Sequence, residues 1–190
     1  MEQALPPSSQ LSGPRRLSPF ELASVYEEGF NVAAIPPEQK AELMRHGFTT
    51  TFPTAGAVIL GILTLNIFAL IYYGLKHSKL PRIKTDDFGA GRAIGFLFIP
   101  FFNLYWIFVY WARLADRINL QFRLRGEAPP VSRGLAVAIP ILTLTSFIPF
   151  VGILTAATNW LILVPVIGSQ IQNASNRLAE WNMAAASALQ

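Results

Sequence analysis

The 190-residue chain is 52% hydrophobic and 14% charged, with mean hydropathy +0.40 and formal net charge +4. Soluble domains carry about 25% charged residues, so this composition argues against an ordinary water-soluble domain. The chain has no cysteine, which excludes disulfides, Cys-ligated zinc, iron–sulfur clusters and thiol nucleophiles.

Residues 1–17 are polar and Pro-rich and read as a disordered tail. No apolar signal-peptide core is visible there, so the first hydrophobic run is expected to act as its own insertion signal. Ser18-Pro19-Phe20-Glu21 places Ser at N-cap, Pro at N1 and Glu at N3. That capping box starts a short helix, with Gly29 placed to end it. A second short helix is predicted from Pro37, with Glu38 in its first turn, Arg45 and His46 in its last, and Gly47 as its stop. Residues 18–50 thus form a short soluble or interfacial helical region.

Residues 51–178 form the predicted membrane domain, built on three uncharged runs. No charge lies between His46 and Lys76, between Arg92 and Arg113, or in the 43 residues between Arg133 and Arg177. A bilayer core about 30 Å thick takes about 20 helical residues. The first run, Pro53–Leu75, therefore suffices for one crossing, the second barely for one, the third for two. Thr54–Leu75 lacks the polar stripe of a soluble helix, since Thr64 and Asn66 stand isolated. Tyr72 and Tyr73 followed by Lys76 mark a membrane–water boundary.

Loops Lys76–Arg92 and Arg113–Arg133 each hold five bases and two acids. Basic loops stay on the cytoplasmic side, so a single crossing by Ala93–Ala112 would strand one of them. Pro100 near the middle of that run, and Asn103 able to cap the following helix, favour a re-entrant hairpin over one proline-kinked span. The N-terminal region then lies outside and the C-terminus inside. The helix leaving this run, "WARLADRINLQFRLRG", puts Trp111, Leu114, Ile118 and Phe122 on one face. It reads as a basic interfacial helix, with Arg113, Arg117, Arg123 and Arg125 as candidate anionic-lipid contacts, or as a helix packed on its neighbours. Gly126 is placed to end it. In the third run, Pro149 and Gly152 divide Gly134–Ile148 from Val151–Ile171 as two legs of a helical hairpin, and Pro165 kinks the second leg. Residues 179–190 read as a fraying C-terminal tail. "FIPF" occurs twice, at 98–101 and 147–150, as an apolar-flanked proline break.

The stretch "GAGRAIGFLFIPFFNLYWIFVYWARLADRIN" resembles a group of small bacterial membrane proteins defined by a domain of unknown function. The matching features are Gly91 to Gly95, the "IPFFNLYW" centre at Ile99 to Trp106, and the basic helix Arg113 to Asn119. The resemblance covers roughly residues 55–178. It implies a bacterial cytoplasmic (inner) membrane protein and carries no activity or catalytic residue with it.

The chemistry-bearing candidates are few. The glycines of "GAGRAIG" are misspaced for a dinucleotide fingerprint and lead into an apolar segment; Gly91-x-x-x-Gly95 suits close helix packing better. His46 and His77 lack nearby nucleophile or carboxylate partners at useful spacing. Asp86-Asp87 read as a cap for the next helix. Asn66, Asn103 and Asn159 lie inside apolar runs, where each amide must bond to freed backbone or to another helix. The aromatics of 96–111 suit a membrane interface, with a lipid or quinone groove as the sharper alternative.

These observations predict an all-α integral membrane helical bundle with a re-entrant or proline-kinked segment and a basic interfacial helix. Pro100, Asn103, Pro149, Gly152, Asn66 and Asn159 are its candidate topological residues. The expected role is a non-enzymatic scaffold or accessory subunit, partnered by the bilayer and by a protein or a second copy of itself. A passive channel or small permease is the alternative, and a lipid-acting enzyme is a third. No cofactor, metal or nucleic acid is expected.

Overall fold

The computed structural model describes residues 16–27 and 31–188, and those residues are helical with no strand among them. Helix α1 (Pro19–Glu27) starts at the predicted capping box: Ser18 N donates to Glu21 Oε2 at 2.8 Å, and Glu21 N to Ser18 Oγ at 3.3 Å. Helix α2 spans Pro37–Arg45, and Gly47 follows it at φ +147°. The predicted tail up to Arg15 and the stop at Gly29 lie outside the described residues.

The predicted crossing helix Pro53–Leu75 is not one helix. Helix α3 (Thr54–Leu63) stops, and α4 (Ile67–Lys76) runs back beside it. A Cβ on Gly61 would lie 3.6 Å from that of Ala69; eight residues span about 12 Å in a straight helix. Thr64 and Asn66, isolated in the sequence, build the turn. Thr64 Oγ1 donates to Leu60 O at 2.6 Å and accepts from Phe68 N at 3.0 Å. Asn66, at φ +68°, donates its backbone N–H to Gly61 O at 2.7 Å. Asn tolerates this left-handed backbone better than most residues.

A second hairpin joins α5 (Ala90–Gly95) and a 3₁₀ turn (Phe96–Phe98) to α6 (Phe102–Leu124). Trp106 Nε1 donates to Ala93 O at 3.1 Å, so its arms lie side by side. The third joins α7 (Arg133–Thr145) to a helix running from Gly152 to Ser187. That helix comprises α8 (Gly152–Thr158), a π turn (Asn159–Leu163) and α9 (Val164–Ser187). The π turn sits just before Pro165, whose ring and missing N–H disturb the preceding turn; the predicted kink is taken up there. Because α9 continues to Ser187 and buries Leu178 and Ala179, the expected tail is helical over its described part.

The three tips share one end of the bundle. Thr54 Oγ1 bonds to Asn173 at 2.6 Å and Trp160 Nε1 to Ile62 O at 3.2 Å, so α3 runs antiparallel to the long helix. Tyr110 Oη donates to Leu70 O at 2.5 Å, tying α6 to α4. At the opposite end, Leu22, Ile35, Leu43, Ile83, Leu120 and Leu124 pack together, and Asn182 Nδ2 donates to Phe48 O at 3.0 Å. The N-terminal helices, both basic loops and the end of α9 therefore gather there. This corrects the expectation that the N-terminal region lies opposite the loops, because the first run returns to its starting end.

Helix α6 is the centre of the bundle. Residues 114–122 are all buried along it, including Asp116, Arg117, Asn119 and Gln121. The predicted basic interfacial helix is thus a core helix, its polar residues covered by α2, α7 and the loop after α4.

Candidate functional site

Leu65, Asn66, Phe101 and Phe150 are the non-glycine residues with positive φ among those described, and all four lie at hairpin tips. The two "FIPF" copies have the same hydrogen bonding. Phe101 (φ +60°) and Phe150 (φ +66°) each follow the proline. Phe102 N donates to Pro100 O at 2.7 Å and Val151 N to Pro149 O at 2.8 Å; Asn103 N reaches Ile99 O at 3.0 Å and Gly152 N reaches Ile148 O at 2.8 Å. Each copy is a tight turn centred on a left-handed Phe that launches a helix. A bulky residue at positive φ is strained, by about 1–3 kcal/mol. The rings are not packed in compensation: Phe101 is 87% exposed and Phe150 100%. Phe98, Phe147, Ile148, Ile153, Leu154, Leu63, Leu65 and Ile67 extend the same exposed apolar end. Gly152 is required by close approach, since a Cβ there would sit 2.1 Å from Ser146 O.

The structure places Pro100, Pro149 and Gly152 at the breaks assigned to them, and Asn66 at a break the sequence reading left out. Asn159 acts between helices, its Nδ2 donating to Thr143 Oγ1 at 2.9 Å and to Ile139 O at 3.3 Å. Asn103 does not cap α6: Phe101 holds the N-cap position without a side-chain bond. The tight turn already occupies the amide that Asn103 was expected to serve.

Opposite the tips lies a buried polar hub. Arg117 is fully buried. Its Nε donates to Pro81 O at 3.0 Å, Nη1 to Phe88 O at 3.0 Å, and Nη2 to His77 O at 2.8 Å and to Leu80 O. Nη1 also faces His77 Nδ1 at 3.3 Å. One guanidinium thus gathers four carbonyls of the loop between α4 and α5. Burial, then Arg117, push the His77 pKa down to about 3. Asp87 Oδ2 accepts from Ile83 N at 2.8 Å and Lys84 N at 3.0 Å; Arg113 pairs with Asp86 at 2.6 Å and approaches Asp87 at 3.8 Å. Lys76, at the polar end of α4, lies 4.6 Å from the ring centroids of Phe48 and Tyr72.

Of the four arginines assigned to lipid, Arg117 is thus enclosed by backbone. Arg125 donates to Met44 O at 2.8 Å and to Gln121 Oε1 at 2.7 Å, with its guanidinium 5.6 Å from the Trp181 ring centroid. Arg113 serves the acid pair, and Arg123 is half-buried on the same helix. Arg117 is therefore closed to lipid, which corrects its assignment, while Arg113, Arg123 and Arg125 are half-buried. Several openings lie at this end. A groove of about 880 Å³ runs between α2, the end of α6 and α9, lined by Met44, Thr49, Arg125, Glu127 and Trp181 among others. A smaller pocket of about 270 Å³ is lined by Arg82, Asp87, Phe88, Gly89, Gly91 and Arg92. Gly91 and Gly95 face open space, so the close helix contact expected of them is not made within the chain. No family model, curated protein or solved structure matches the chain.

Proposed function

We propose that this chain is a one-sided membrane scaffold. Its three hairpins dip into the bilayer from the side bearing the basic loops, and its polar end stays in water as a platform for a protein partner. The observation that carries the reading is the set of strained, exposed apolar residues at the three tips. Such an end exposes far more apolar surface than monomers in water usually show, and hydrocarbon removes that cost. Hairpins satisfy the backbone inside lipid when their turns bond internally, as both "FIPF" turns do. Ten-residue arms such as α3 and α4 are about 15 Å long, enough to reach the midplane. The helix Gly152–Ser187 is the one, among the described residues, long and apolar enough to cross a membrane.

The scaffold role is tested by crosslinking and co-purification from native membranes, comparing the natural chain with Ala185→Trp, which fills the groove beside Trp181. A reproducible partner lost in the variant is the expected result. A solitary monomer in both contradicts a scaffold.

A further inference from the structure

We infer that the pocket between Arg82 and Arg92 is a binding site for a phosphate-bearing anion, with an anionic phospholipid headgroup as its occupant. The charge pattern around it is selective. Arg113 takes up Asp86, and Asp87 is turned inward to the amides of Ile83 and Lys84. Arg133 takes up Asp116 at 3.2 Å and Arg177 takes up Glu127 at 3.5 Å. Arg82 and Arg92 are exposed and have no acidic partner among the described residues. They flank one cavity of about 270 Å³. Two arginines lining one small cavity supply the forked donors that match the multi-oxygen geometry of phosphate.

The backbone is shaped for the same purpose. A Cβ on Gly89 would lie 3.2 Å from Arg82 Nη2, so the missing side chain lets that guanidinium lie against the loop. Gly91 leaves the space beside Arg92 open. Arg92 is also the last charge before the uncharged residues 93–112 that form the second hairpin. In the one-sided membrane reading, on which the lipid as source rests, that position is the headgroup level. The pocket itself requires only phosphate.

The test uses the purified full-length chain in neutral detergent micelles, titrated calorimetrically with dihexanoyl phosphatidylglycerol, dihexanoyl phosphatidylcholine and inorganic phosphate. Phosphatidylglycerol is expected to bind more tightly than phosphatidylcholine. Affinity should fall at least ten-fold in Arg82→Gln/Arg92→Gln, and equally in Gly91→Leu, which fills the pocket while keeping both charges. Lys40→Gln/Arg45→Gln, a neutralisation elsewhere at the polar end, should stay within two-fold of the natural chain. Unchanged binding in the first two variants, equal loss in the third, or no binding of any probe overturns the site. Inorganic phosphate competing at the same concentration, with the same variant losses, upholds the pocket and makes free phosphate its occupant. Carbonate extraction of the natural chain reads membrane insertion separately, so failure of that reading is distinguishable from failure of the pocket.

Discussion

The tips and the polar end of this bundle solve one problem in opposite ways. Wherever a helix stops, amides and carbonyls are freed and must be bonded. At the tips short-range bonds do this, through the tight turns that force Phe101 and Phe150 into left-handed backbone and through uncharged hydroxyls such as that of Thr64. At the polar end long-range side chains bond the loops between helices: Arg117 gathers four carbonyls, and Asn119 exchanges two hydrogen bonds with Val131, at 2.8 and 3.0 Å. A self-closed turn needs neither water nor a charged donor, which is the condition hydrocarbon imposes. A charged donor is tolerable where its desolvation is offset by several bonds.

That contrast breaks most severely at Arg117. Arg117→Lys keeps the charge but loses the fork, leaving buried carbonyls unbonded, and should cost about 3–5 kcal/mol in denaturant unfolding in mild detergent. At the other end, Ile153→Asp should leave detergent stability nearly unchanged, because the side chain is exposed. It should instead disfavour membrane insertion by about 3 kcal/mol, read by flotation with liposomes. Swapping the two phenotypes would erase the distinction between the ends.

Acid sharpens it further. Unfolded His77 takes up a proton as pH falls through about 6.5, whereas folded His77, buried and facing Arg117, resists until about 3. The unfolded state therefore binds more protons between those values. The stability is fully present above pH 6.5 and declines below it, by about 2 kcal/mol at pH 5. His77→Gln should flatten that part of the unfolding profile, and substitutions at the tips should not. The smallest effect belongs to Asn159→Leu, which removes one interhelical amide and should cost about 1 kcal/mol.

Much of this was legible because it is local. The Ser18–Glu21 box, the proline of each "FIPF" and Gly152 carry their conformational preference in their own covalent structure. The first hairpin was not legible, since its turn at Thr64–Asn66 contains neither proline nor glycine. Its reversal is fixed by long-range contacts such as Trp160 to Ile62. The hub was hidden for a different reason. Arg117 lies beside Leu114 and Ile118, and nothing in its neighbourhood announces partners 29 to 40 residues away. The proposed anion site at Arg82 and Arg92 was hidden likewise, because it depends on which arginines the fold pairs with acids and which line a common cavity.

The central claim is that every hairpin returns to the side it entered. It is tested most directly by single cysteines at Thr50, Ser78, Ser132 and Ser187, which need no background removal because the chain has none. Labelling with a membrane-impermeant maleimide in sealed, oriented vesicles should modify all four from the same side. Opposite accessibility of Thr50 and Ser78 would mean that the first run crosses the bilayer, and would contradict the account.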